Sequence, residues 1–124
     1  KKIQKLMLKS KKQGCCFIKN DVIISKMLGY VEKIQKYSAN MTYEEFVKNE
    51  LVVEACVFNL SQMGELANKL DDSYREQHSN IAWKQIFGLR NRIVHDYEGV
   101  NLKLVWEIIE YDLPELREKL SELK

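Results

Sequence analysis

"DVIISKMLGYVEKIQKYSA", Asp21 to Ala39, is the stretch that decides the fold class. Its apolar residues Ile24, Met27, Leu28, Val31 and Ile34 are three or four apart, which places all five on one face of a helix. Asn20 and Asp21 precede the run as candidate N-caps, so the spacing predicts a first long helix from there to about Ala39. Downstream, "TYEE" sets Thr42 three residues before Glu45, a capping-box pattern that opens a short helix and carries Phe46 inward. A second long helix follows, with Val53, Val57, Leu60, Met63, Ala67 and Leu70 on one stripe. Gly64 lies in that stripe; glycine costs a helix about 1 kcal/mol relative to alanine, so its presence points to the close approach of another helix.

Beyond the polar connector "DDSYREQHSN", a third helix is expected from Trp83 to about Tyr97, burying Ile86, Ile93 and either Leu89 or Phe87, with Gly99 as its C-terminal cap residue. The last helix starts near Asn101 and carries Leu102, Val105, Trp106, Ile109, Leu113, Leu116 and Leu120. Pro114 interrupts it. Without an N–H, proline leaves the carbonyl of Glu110 unpaired, so either the helix kinks or Asp112 caps a fresh segment. No strand pattern competes, because the alternating stretches are short and Asn-Gly turns are missing. Four apolar stripes on short connections imply an all-α fold, an antiparallel up-and-down four-helix bundle with one short additional helix.

At 124 residues the chain suits one domain with a single core. With 45% hydrophobic and 31% charged residues it has the composition of a soluble helical globule, not of a disordered or fibrous chain. No apolar run approaches the roughly 18 to 20 residues of a membrane span, and the basic start has no apolar region of the signal-peptide kind behind it. A cytoplasmic location without membrane association is therefore expected. Cys15, Cys16 and Cys56 match no zinc or disulfide spacing and are expected to be free thiols.

The net charge of +2 conceals an asymmetry. Residues 1–20 carry seven lysines and no acid, leaving 13 basic against 18 acidic side chains in the rest. We expect 1–20 to be a basic N-terminal arm and 21–124 the helical domain. A candidate native start at Met7 would make residues 1–6 an added segment. A lysine-rich arm can contact phosphates, but a solvated terminus is the simpler reading.

"RNRIVHDYEGV", Arg90 to Val100, gathers the chain's most concentrated polar chemistry. On a continuous helix Asn91 and His95 share a face, whereas Arg90 and His95 diverge by about 140°. The cluster offers an imidazole that exchanges protons near neutral pH, a guanidinium suited to phosphate and an amide that can orient either. It has no serine or cysteine nucleophile beside the histidine and no carboxylate cluster for magnesium, so neither metal nor cofactor is expected. That leaves chemistry in which the substrate brings its own nucleophile, as the 2′-hydroxyl of RNA does. The competing reading is structural: a histidine stabilised at a helix C-terminus, and Arg90 or Arg92 paired with Glu65. Spacing leaves both open.

"RNRIVHDY" resembles the signature of the HEPN superfamily, and the tyrosine two residues after the histidine resembles its HepT toxin family. The likeness extends to "MGELAN" at Met63 to Asn68, to "IAWKQIFGLRNRIVHDY" and to "VWEIIEYDLPELREKL", from about Asp21 to Leu123. Three departures stand out. Ala82 occupies a position where the family commonly has proline, Leu66 separates Glu65 from Ala67, and the lysine-rich opening has no counterpart. The resemblance implies a HEPN-like, homodimeric ribonuclease toxin that cuts RNA without metal, with paired motifs facing one cleft. It also implies a cognate antitoxin of nucleotidyltransferase fold, of the MntA type, which silences the toxin by adding AMP to the motif tyrosine. Carried over by position, Arg90 and His95 become the catalytic residues, Asn91 their support and Tyr97 the modified residue.

Arg92 either binds phosphate in the cleft or pairs with an acid. Trp83 and Trp106 sit on helical stripes and are expected in the core rather than stacked on bases. His78 is expected to be exposed, and Asp71, Asp72 and Glu76 to form a solvated acidic turn. A different class of function on the same fold is a non-catalytic module that presents substrate or nucleotide to a partner nucleotidyltransferase; growth arrest on expression, relieved by His95→Ala, separates the two.

Overall fold

The computed structural model describes residues 2–95 and 99–124, with side chains from residue 19 onward other than that of His95. The fold is all-α, and its order is α1 (Lys2–Tyr37), α2 (Tyr43–Lys48), α3 (Glu50–Ala67), α4 (Asp72–Gln77), α5 (Trp83–Phe87), α6 (Leu89–Ile93), β1 (Val94–His95), β2 (Gly99–Val100), α7 (Leu102–Glu107), a π-helical turn (Ile108–Asp112) and α8 (Leu113–Glu122). α1 packs along α3 and α8, and α3 carries α5 and α6. Among the described residues no helix is long and apolar enough to cross a membrane.

The predicted stripes become one core. Ile24, Met27, Val31 and Ile34 of α1 are fully buried against Leu60, Met63 and Ala67 of α3 and Leu113 and Leu120 of α8. Val57, Leu102, Trp106 and Leu116 pack at its edge. The Thr42 capping box forms as expected: the hydroxyl accepts from the Glu45 N–H at 3.1 Å, and the Glu45 carboxylate accepts from the Thr42 N–H at 3.0 Å. It starts α2 so that Phe46 is fully buried and meets Trp106 at 5.1 Å between ring centroids.

Asn20 does not cap a helix, because α1 runs through it without a break. It is buried, donating to the Asp71 carboxylate at 3.2 Å and accepting from the Asp71 N–H at 3.3 Å. A side chain that looked like a helix start thus ties the α3–α4 connection to α1. Lys19 reaches the same carboxylate at 3.3 Å, and Asp72 pairs with Arg75, so the acidic turn is engaged rather than merely solvated.

Pro114 does not bring an Asp112 cap with it; Asp112 makes no capping hydrogen bond. The helix widens instead. The N–H of Leu113 reaches back five residues to the carbonyl of Ile108, and the π turn absorbs the missing donor. This one-residue shift in register buries Ile108 together with Ile109 and Leu113.

Candidate active site

Two buried residues hold the motif in place. Leu89 and Ile93, one turn apart on α6, are buried against α3 and leave Arg90, Asn91 and Arg92 exposed. The position of α5 and α6 depends on Gly64. A Cβ there would stand 2.7 Å from the carbonyl oxygen of Ile86, so only glycine admits this crossing. The helix-contact reading of Gly64 holds.

The third helix ends earlier than its sequence pattern predicts. It is divided at Gly88 and stops at Ile93, where Val94 takes extended backbone with φ −116° and ψ 120°. β1 and β2 then pair antiparallel, Val94 opposite Val100 and His95 opposite Gly99. The Asn101 N–H donates to the Ile93 carbonyl at 2.7 Å, which closes the base of the hairpin. Two β-branched residues facing each other favour this pairing over another helical turn. Gly99 has a φ of +79°, the left-handed conformation expected of it, but it serves the return strand rather than a helix cap. The 140° helical divergence between Arg90 and His95 therefore does not apply: His95 is carried past the helix end on a strand. Tyr97 lies outside the described residues.

Arg90 lines a groove of about 770 Å³ with Glu65, Lys69, Phe58, Val94 and Val100. Among the described residues it has neither an ion pair nor a hydrogen bond, and the pairing of Glu65 with Arg90 or Arg92 that the competing structural reading called for is not formed. Arg92 points elsewhere. Two residues on a helix are about 200° apart, and Arg92 lines a separate cavity on the other flank of α6, where its Nη1 donates to the Gln85 carbonyl at 3.4 Å. The structure thus brings Arg90 to the groove bordered by the His95 strand, and does not bring Arg92 there.

The aromatic expectations are met for the tryptophans. Trp83 is buried and donates through Nε1 to the His78 carbonyl at 3.0 Å, and Trp106 packs between Phe46 and Tyr43. His78 is half-buried, not open, with its ring 4.6 Å from that of Tyr74. Among the described residues no three His, Cys, Asp or Glu side chains converge as a metal set would.

The sequence pattern did not single out two exposed apolar residues at the groove: Phe58, which lines it, and Leu51, seven residues earlier on the face of α3 opposite its core stripe, are 59% and 78% exposed. Their heptad spacing was the available signal; the stronger core stripe on the opposite face dominates the pattern.

The profile of the family described as "Ribonuclease HepT-like" matches residues 27–123. Among curated relatives, "Putative RNase TTE0752" of Caldanaerobacter subterraneus is 37% identical over 67% of this chain and 74% of its own. "Putative RNase MJ1216" of Methanocaldococcus jannaschii is 33% identical over 78% of this chain and 80% of its own. "Probable ribonuclease HepT" of Thermococcus cleftensis is 23% identical over 76% and 86%. No solved structure matches the chain. With an all-α bundle, an Arg-x4-His motif beside a groove and a family match over most of its length, the chain belongs to the HepT-like ribonuclease family and is an endoribonuclease.

Proposed function

We propose that the protein is the metal-independent ribonuclease toxin of a toxin–antitoxin pair, with Arg90 and His95 as its catalytic residues and Asn91 as their support. The observation that carries this reading is Arg90 itself, exposed on a groove wall, with no partner among the described residues, next to the strand that bears His95. A surface guanidinium left unpaired beside an acid is available for phosphate.

In this mechanism the His95 imidazole removes the proton of a 2′-hydroxyl. The oxygen attacks the adjacent phosphorus, the bond to the 5′-oxygen breaks, and that oxygen takes up a proton from water, to which the His95 imidazolium returns the one it removed. The products are a 2′,3′-cyclic phosphate and a 5′-hydroxyl. Arg90 stabilises the charge on the phosphorane-like transition state, while Asn91 orients the pair. Two copies facing each other across this groove would enclose the phosphate from both sides, and exposed Leu51 and Phe58 on the same face support such pairing.

The test is cleavage of RNA in excess EDTA. Wild type retains its activity and His95→Ala loses about 10²- to 10⁴-fold; equal cleavage by both removes His95 from the mechanism. The resemblance of the motif supports control by modification: Tyr97 is the acceptor of AMP from a cognate nucleotidyltransferase-fold antitoxin, and the added nucleotide obstructs and repels RNA. With that antitoxin and ATP, wild type gains adenylyl mass and Tyr97→Phe does not. An unmodified wild type overturns this control and leaves the nuclease assignment standing.

A further inference from the structure

α6 carries two arginines to two different places. Arg90 faces the groove described above, and Arg92 lines a cavity of about 140 Å³ bounded by α5, α6, the π turn and α8. Its floor is apolar: Met63, Ile86, Leu89, Ile108 and Leu113. A cavity of roughly 150 Å³ lined in this way accommodates benzene, so this one takes the six-membered ring of a base lying on the floor, and the five-membered ring of a purine and its sugar extend over the open side.

The rim is polar and selective. Lys119 and Glu115 neutralise each other at 3.0 Å, and Lys119 also donates to the Asn80 carbonyl at 2.8 Å, so both are engaged. The Gln85 amide and the Asp112 carboxylate line the same rim, and among the described residues neither side chain has a partner. An amide that can donate and a carboxylate that only accepts are therefore presented above a ring-sized apolar slot, with a guanidinium beside them.

We propose that this cavity binds one unpaired guanine base of the RNA substrate, with Asp112 and Gln85 reading its edge and Arg92 holding the adjoining phosphate. Guanine has two adjacent donors, N1–H and the 2-amino group, which a carboxylate accepts together, and next to them O6, which an amide N–H satisfies. Adenine would turn the lone pair of N1 toward the carboxylate. Cytosine would turn that of N3, and uracil offers one N–H between two carbonyls. The aliphatic floor covers the face of the ring whichever base enters, so selection lies with the rim. A helix is on the order of 10 Å across, so one strand crossing α6 reaches both arginines, with the phosphate to be cut on the Arg90 side. The position of the cut relative to the guanine rests on the reading of Arg90 and His95 as the cleavage site; the binding of guanine does not.

Two experiments on the full chain test this. In the first, single-stranded RNA of random sequence is cleaved and the cut sites are sequenced. Wild type shows guanosine at one fixed position from the cut, and Asp112→Asn and Gln85→Ala each flatten that preference. Replacing the guanosine by inosine, which lacks the 2-amino group, lowers wild-type kcat/KM about tenfold and leaves Asp112→Asn unaffected. Absence of a base preference, or equal cutting of inosine and guanosine by wild type, overturns the proposal. In the second, methyl resonances of Ile86, Ile108 and Leu113 are followed by NMR as guanosine 5′-monophosphate is added. They shift in wild type and equally in His95→Ala, and inosine 5′-monophosphate shifts them far less. Unshifted methyls overturn the guanine site whatever the cleavage assay shows, whereas shifted methyls in a protein whose cleavage ignores His95 overturn only the catalytic assignment.

Discussion

Cys56 shows how burial decides the chemistry of a residue. Its thiol is fully buried on α3, and burial pushes its pKa from the ordinary 9.0 up to about 11. A thiol held protonated is a poor nucleophile, so Cys56 serves packing and takes no part in the reaction. The same shift couples stability to pH. Below about pH 9 both folded and unfolded chains keep this proton, and the contribution is complete. As pH rises from 9 toward 11 only the unfolded chain releases it, so unfolding becomes easier, by roughly 2 to 3 kcal/mol in all. Urea unfolding between pH 8 and 11 should show this decline, and Cys56→Ala should start from a lower stability yet decline less steeply. Equal slopes in the two proteins would remove Cys56 as the cause. Tyr74 shifts in the same direction, through burial first and then the negative charge of Asp21.

At the scale of elements, the crossing of α3 and α5 at Gly64 positions everything that follows. Gly64→Ala drives a methyl group into the Ile86 carbonyl, and a backbone oxygen cannot move aside as a flexible side chain can. The expected cost is about 1 to 3 kcal/mol, read as a lower urea midpoint with an unchanged slope. Because α6 continues from α5 across Gly88, the displaced crossing should also lower RNA cleavage, more through kcat than through KM. A variant with wild-type stability and activity would mean that the crossing adjusts freely. The π turn has a comparable role on the opposite wall: it accepts Pro114, buries Ile108 and carries Asp112 at the rim of the Arg92 cavity.

For the whole molecule the consequential surface is the α3 face bearing Leu51 and Phe58. Two large exposed apolar side chains lie next to a groove with acidic Glu54 and Glu65 and basic Lys69 and Arg90, the composition that the proposed pairing of two copies requires. If two copies pair as proposed, wild type is a dimer in light scattering and Phe58→Asp a monomer with cleavage reduced by about tenfold or more, while helical circular dichroism stays unchanged because the ring is outside the core. A monomeric wild type with full activity would sink the shared groove. The acidic body outside residues 1–20 fits this view, because attraction for RNA then arises from paired arginines in one place and not from a basic surface overall.

What the sequence determined by itself was every feature with a local cause. The stripes of α1 and α3 follow from periodicity, the start of α2 from a bond between Thr42 and Glu45 three residues apart, and the positive φ at Gly99 from the absence of a side chain. Family membership was legible for a related reason, since the motif residues are contiguous in the chain. Tertiary structure decided what depended on distant partners. Helix three stops at Ile93 because Val94 finds Val100 across a hairpin, and local propensity does not register that pairing. Asn20, a good cap in isolation, is buried against Asp71, 51 residues away. Arg90 and Arg92, neighbours in the motif, part to opposite flanks because Leu89 and Ile93 must both be buried, and that requirement sets the rotation of α6.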